Sequence, residues 1–204
     1  MLITIIALGF FFSIIFVKDR ENKTFRKTLR EGAPMVLLSS FIGTFGGVGL
    51  ASIREEIEKK PSILILYPAL IDTLGDIGSI LGARLTTKLA LGRISSFWDT
   101  LKEGLSDLVS VEIAAIFIHI MFGLTAFLLG RVTGFFPNLW SLINISIMSN
   151  LISFIFISLL AFVVATQTFK YSLDPDNFVI PLVTSIADFV DTLALILTLM
   201  ILRV

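Results

Sequence analysis

Cysteine is absent from this chain, and histidine occurs once. Without a thiol there is no disulfide framework, no thiolate metal site, no iron–sulfur cluster and no cysteine nucleophile. A lone imidazole likewise excludes metal centres built on several histidines of one chain. Net charge is missing too: 16 basic residues cancel 16 acidic ones, so no global field draws nucleic acid or acidic substrates to the molecule. A nucleic-acid partner is therefore not expected. Polar surface is scarce as well. With 55% hydrophobic residues and a mean hydropathy of +0.95, 204 residues cannot coat a water-soluble globule, and a lipid bilayer must cover much of the surface.

What is present is a set of long apolar runs. A helix crossing the roughly 30 Å hydrocarbon layer needs about 20 such residues. Six runs qualify, at 1–17, 33–53, 61–83, 108–130, 139–166 and 178–202. They are continuous rather than alternating and about twice the length of a tilted membrane strand, so the fold class expected is an all-α, polytopic membrane helix bundle. The first run has no basic residues before it and no small-x-small cleavage site after it, which reads as an uncleaved span rather than a signal peptide. No composition shift marks a soluble domain. Residues 1–25 read as an amino-terminal span with its basic linker, and 26–204 as the five-span remainder.

Lysine and arginine set the orientation. Segments 18–32, 84–107 and 167–177 carry six, four and one, against three in 54–60, one at Arg131 and one at Arg203. The first group is expected in the cytoplasm, which puts both termini of this multi-pass cell-membrane protein outside. Within 94–107, Ser95 and Ser96 are placed to cap a short interfacial helix presenting Phe97, Trp98, Leu101 and Leu105 to the lipid surface.

The informative residues are acids inside the spans. An ionised carboxylate at the bilayer centre costs about 2.5–3.5 kcal/mol even on the lenient insertion scale. Asp72 and Asp76 lie four apart in the third span and share a helix face; Asp188 and Asp191 lie three apart in the sixth, with Thr184, Ser185 and Thr192 nearby. No Lys or Arg inside the spans can pair with them. A bound cation or a water-filled path is the natural compensation. Pro68 precedes Asp76 by eight residues and Pro181 precedes Asp188 by seven, so each acid sits about 10–12 Å past its proline. The two spans run in opposite directions, which brings both acids to middle depth, as in an inverted repeat with a midplane site.

The ligands on offer are carboxylate, hydroxyl and carbonyl oxygens, which suit magnesium or calcium better than softer metals. Sodium or protons could use the same groups, and protonated aspartates could instead hydrogen-bond neighbouring helices and only hold the bundle together. Asn150, deep in the polar fifth span, can offer a carbonyl oxygen to an ion or bond another helix. Glu112 and His119 fall on nearly one face of the fourth span, as a possible vestibule group and a bundle residue. Gly43, Gly46, Gly47 and Gly49 give the second span a small face for close helix contact. Asp174 and Asp176 fit a turn and cap before the last span.

At these residues the sequence resembles the MgtE-type magnesium transporters and their animal solute-carrier relatives. Tyr67-Pro68-Ala69-Leu70, Gly75-Asp76-Ile77-Gly78, Arg84 and Leu89-Ala90-Leu91-Gly92 are similar to the family's second core helix. Asp174-Pro175-Asp176-Asn177, Pro181-Leu182-Val183-Thr184 and Asp188 are similar to its last. The resemblance implies a five-span core from residue 26 onward, Asp188 as the principal ligand of a permeating Mg2+, and a homodimer with the pore between subunits. The departures are Asp76, where the bacterial proteins have asparagine, and Asp72 and Asp191, where they have glycine. These make the path more negative. No part of this sequence corresponds to the large cytoplasmic magnesium-sensing domains of the bacterial proteins, and the first span has no counterpart in their core. The ligand set expected is then Asp188, Asp76, Asp72, Asp191, Asn150 and Thr184, in a transporter or channel for divalent cations.

Three other functions fit parts of the pattern: a non-transporting membrane subunit, a monovalent-cation or proton-coupled carrier, and an intramembrane aspartyl protease pairing Asp76 with Asp188. The protease lacks its Gly-x-Gly-Asp motif here, and the Pro-Ala-Leu triplet precedes rather than follows the nearest aspartate.

Overall fold

The structure is a computed structural model that describes residues 9–10, 12–14, 16–18, 21–94 and 97–203, without the side chains of Glu56, residues 97–101 and Asp176. Most of the first expected span therefore lies outside the described residues, as do Ser95 and Ser96. Six helices follow: α1 Lys23–Ser52, α2 Arg54–Lys59, α3 Pro61–Ala90, α4 Phe97–Val132, α5 Leu139–Lys170 and α6 Pro175–Leu202. Among the described residues there is no strand, and five helices are long and apolar enough to cross a membrane. The protein is an all-α polytopic bundle.

Each of the five long helices runs past its apolar stretch at one end or both. Hydropathy stops where lipid stops, whereas helix hydrogen bonding continues to the next cap. Asn22 caps α1 through its side-chain oxygen, which accepts from the amides of Thr24 at 3.0 Å and Phe25 at 3.4 Å, so the helix includes ten basic-linker residues before the expected start. The segment 97–107 is not a separate interfacial helix; it is continuous with α4. At the other ends, Gly92 and Gly134 take positive φ of 66° and 86°, and let the amides of Arg93 and Phe135 turn back to the carbonyls of Lys88 and Gly130.

Helices α3, α5 and α6 pack on one another, with α1 against α6 on one flank and α4 against α3 and α5 on the other. Two apolar clusters form the core. One holds Leu74, Ile77, Leu81, Ala115, Ile157, Ala161, Val183 and Ala187, toward the expected cytoplasmic side. The other holds Leu66, Leu70, Ala126, Leu142, Ile145, Leu195 and Leu199. Between them, at middle depth, lies a buried polar layer of Thr73, His119, Ser146, Ser149, Asn150, Ser153, Asp191 and Thr192. Small residues on α3 let α6 approach: a Cβ on Gly75 would meet Thr184, and on Gly78 and Gly82 it would collide with Val183 and Val179.

Candidate functional site

Asp72 on α3 and Asp188 on α6 line one shallow cavity of about 560 Å3, together with Pro68, Ala69 and Ile71. Asp72 is exposed and Asp188 half-buried. The turn carrying Asp188 is held from behind. Thr192 donates to the Asp188 carbonyl at 2.7 Å, and Thr192 itself bonds Tyr67 at 2.8 Å. Gly46 of α1 lies against the Asp188 carbonyl, and Gly49 has no room for a Cβ beside Thr192. The glycine face read from the sequence is thus split: Gly46 and Gly49 press on α6, while Gly43 and Gly47 meet nothing within 4 Å.

Asp76 lies elsewhere. Four residues past Asp72 means a rotation of about 40° and a rise of about 6 Å, enough to move it from the α6 side to a groove between α3 and α4. That groove, of about 320 Å3, also contains Thr73, Arg84, Asp107 and Ser110. At its end Asp107 accepts from Arg84 at 2.6 Å and pairs with Lys88 at 2.8 Å. The acid that shares a cavity with Asp188 is Asp72, and Asp76 and Asp188, the two that a protease would need to face each other, line different cavities.

Asp191 points into the bundle. It is 1% exposed, and its Oδ1 accepts from Ser149 at 3.2 Å and Ser153 at 2.9 Å. Asn150 is equally buried and donates to Glu112 at 2.9 Å, an interhelical bond. Thr184 donates to the carbonyls of Ile180 at 2.8 Å and Pro181 at 3.2 Å. His119 is a bundle residue, its Nδ1 2.8 Å from the Ala115 carbonyl and its ring edge-on to Phe122. Asp174 directly precedes Pro175 and pairs with Lys27 at 3.9 Å. One anchor of α6 escaped the sequence reading: Glu31 on α1, 9% exposed, accepts from the Asp174 amide and the Asn177 side chain. One of three acids in a basic linker, beside Asp19 and Glu21, it carries no signal of that role.

The site can hold one doubly charged cation through water. Among the described residues no three His, Cys, Asp or Glu side chains come close enough to chelate a metal directly. Two carboxylates facing a cavity supply a charge of −2. Six waters at about 30 Å3 each occupy roughly 180 Å3, so the cavity has room for a hydrated ion, the form that magnesium gives up reluctantly.

A family model described as MgtE, divalent cation transporter, matches residues 67–198. The matched segment contains Asp72, Asp76, Asn150, Thr184, Asp188 and Asp191. No curated protein and no solved structure matches the chain.

Proposed function

The chain belongs to the MgtE family of divalent cation transporters, and from that premise we propose that it carries Mg2+ across the cell membrane by way of the Asp72–Asp188 cavity. One observation carries the reading. Two carboxylates from two helices face a single cavity at the depth of the buried polar layer, and among the described residues no basic side chain lines it. At that depth the charge needs a counter-ion, and a hydrated divalent cation matches it in sign, size and magnitude.

The cavity is shallow and lies on the outside of the bundle, and Asp72 is exposed. A second copy placed against this face would close it and double the acids around one ion, which is our reason for proposing a homodimer with the pore between subunits. Asp76, in its own groove toward the expected cytoplasmic end, fits an approach position for cations rather than the central ligand. The charge count supports an orientation with both termini outside, with residues 26–204 as the transporting unit and 1–25 as an added span and linker.

The test is divalent-cation flux into proteoliposomes, comparing wild type with Asp188→Asn and Asp72→Asn. Flux lost in Asp188→Asn and strongly reduced in Asp72→Asn, with elution and melting unchanged, is the expected result. Full flux in both variants would leave the acids a purely structural role.

A further inference from the structure

The polar layer inside the bundle contains more oxygen than its hydrogen bonds use. Asp191 takes both of its bonds, from Ser149 and Ser153, at Oδ1; its Oδ2 is buried and has no partner. Asn150 spends its amide on Glu112, which leaves Asn150 Oδ1 and Glu112 Oε2 buried without partners. Ser146, one turn earlier on the same face of α5 and 0% exposed, has a hydroxyl with no partner. The Ser153 hydroxyl lies 2.9 Å from Asp191 Oδ1 and 2.7 and 3.3 Å from the backbone carbonyls of Ser149 and Asn150, and has one hydrogen to share among them.

Buried polar atoms in folded proteins are nearly always satisfied, and buried carboxylates are paired or neutralised. Neither Asp191 nor Glu112 makes an ion pair among the described residues; the one basic residue of α5 is Lys170 at its end, and α6 has none. The other titratable groups around this layer are Asp188 one turn back on α6, Tyr67 on α3 and His119 on α4. Asp188 and Tyr67 cannot be cations, and His119 Nδ1 is engaged with the Ala115 carbonyl rather than with either carboxylate. Asp191 lines neither the Asp72–Asp188 cavity nor the groove beside Asp76.

We propose that Asp191, Asn150, Ser146 and Glu112 form a second cation site, inside a single bundle, that takes a sodium ion stripped of its water. The donors are all oxygen, and Glu112 takes part as its neutral acid, so one monovalent ion balances the single charge, that on Asp191. Magnesium is disfavoured, because it holds its waters and demands an octahedral shell that side chains packed between two apolar clusters do not provide. A sodium ion bound here adds positive charge one turn from Asp188. Sodium and the divalent ion should therefore weaken each other's binding, by the same factor in each direction.

The site is tested by thermal unfolding of the purified full chain in detergent, at fixed pH and ionic strength, with NaCl replacing KCl. Sodium is expected to raise the melting temperature progressively with concentration, as a ligand of the folded state must, while potassium does not. The rise should persist in Asp188→Asn, which separates it from the divalent site, and vanish in Asp191→Asn. Ser146→Ala removes an oxygen that makes no hydrogen bond in the fold, so folding is retained and sodium should bind about tenfold more weakly. This second variant decides the matter if Asp191→Asn does not fold. No sodium-specific rise in the wild type, a rise that survives Asp191→Asn, or undiminished sodium affinity in Ser146→Ala each overturns the site. A stability that responds to pH but not to sodium also overturns it, in favour of a bound proton.

Discussion

The hydroxyl of Tyr67 donates to Thr192 Oγ1 across 2.8 Å of the bundle interior. The direction follows from the next bond. Thr192 has one hydroxyl hydrogen and commits it to the Asp188 carbonyl at 2.7 Å, so only Tyr67 can be the donor. A residue of α3 thereby fixes the turn of α6 that carries Asp188, without touching its carboxylate.

Tyr67→Phe removes that donor and leaves the Thr192 bond to Asp188 intact. The expected loss of stability is about 1 kcal/mol, and the affinity for divalent cations should weaken severalfold because the Asp188 turn is less well held. Titrating the melting temperature with MgCl2 reads both effects. Unchanged magnesium affinity would show that the relay has no positioning role.

Gly78→Ala puts a methyl group into Val183. Overpacking of this kind costs about 1–3 kcal/mol, and Val183→Ala in the same chain should restore part of it by making room. Gly47→Ala, inside the same kind of helix but with nothing within 4 Å, should instead stabilise by about 0.4–1 kcal/mol. Denaturant unfolding in mixed micelles measures all four forms, and equal effects at Gly78 and Gly47 would contradict the packing of α3 on α6.

Asp107→Asn takes the anion away from Arg84 and Lys88 at once. The Asp107 and Lys88 side chains are only 12% and 15% exposed, so a loss of about 1–3 kcal/mol is expected. Glu103→Gln should cost less than about 1 kcal/mol, since that carboxylate is half-exposed and 3.9 Å from Lys88. The same unfolding measurement ranks the two.

The absence of cysteine makes the orientation simple to check. Phe136 and Leu91, 83% and 63% exposed, lie in loops at opposite ends of the bundle. A membrane-impermeant maleimide should label Phe136→Cys on intact cells and Leu91→Cys only after permeabilisation. The reverse pattern would invert the topology.

Five of the spans were legible because length and continuous hydropathy are local properties that a bilayer reads one helix at a time. Their ends were less so. The cap at Asn22 and the unbroken helix from Phe97 through the interfacial segment depend on hydrogen bonding beyond the lipid. The interhelical bond from Asn150 and the bundle role of His119 followed from their depth on polar or apolar faces. Glu31 gave no such sign, since its partners on α6 are more than 140 residues away.

The sequence by itself determined which helices carry the acids and how far along each they lie, because residue spacing and helical rise set position along an axis. It could not determine which acids meet. That depends on how each helix is rotated and how closely its neighbours approach, which Gly75, Gly78 and Gly82 settle by letting α6 lie against α3. In the resulting packing Asp72 rather than Asp76 faces the cavity with Asp188, and Asp191 turns to the serines of α5. A rotation of some 40–60° about a helix axis costs nothing in hydropathy, yet it decides whether a carboxylate meets an ion, a groove or the interior.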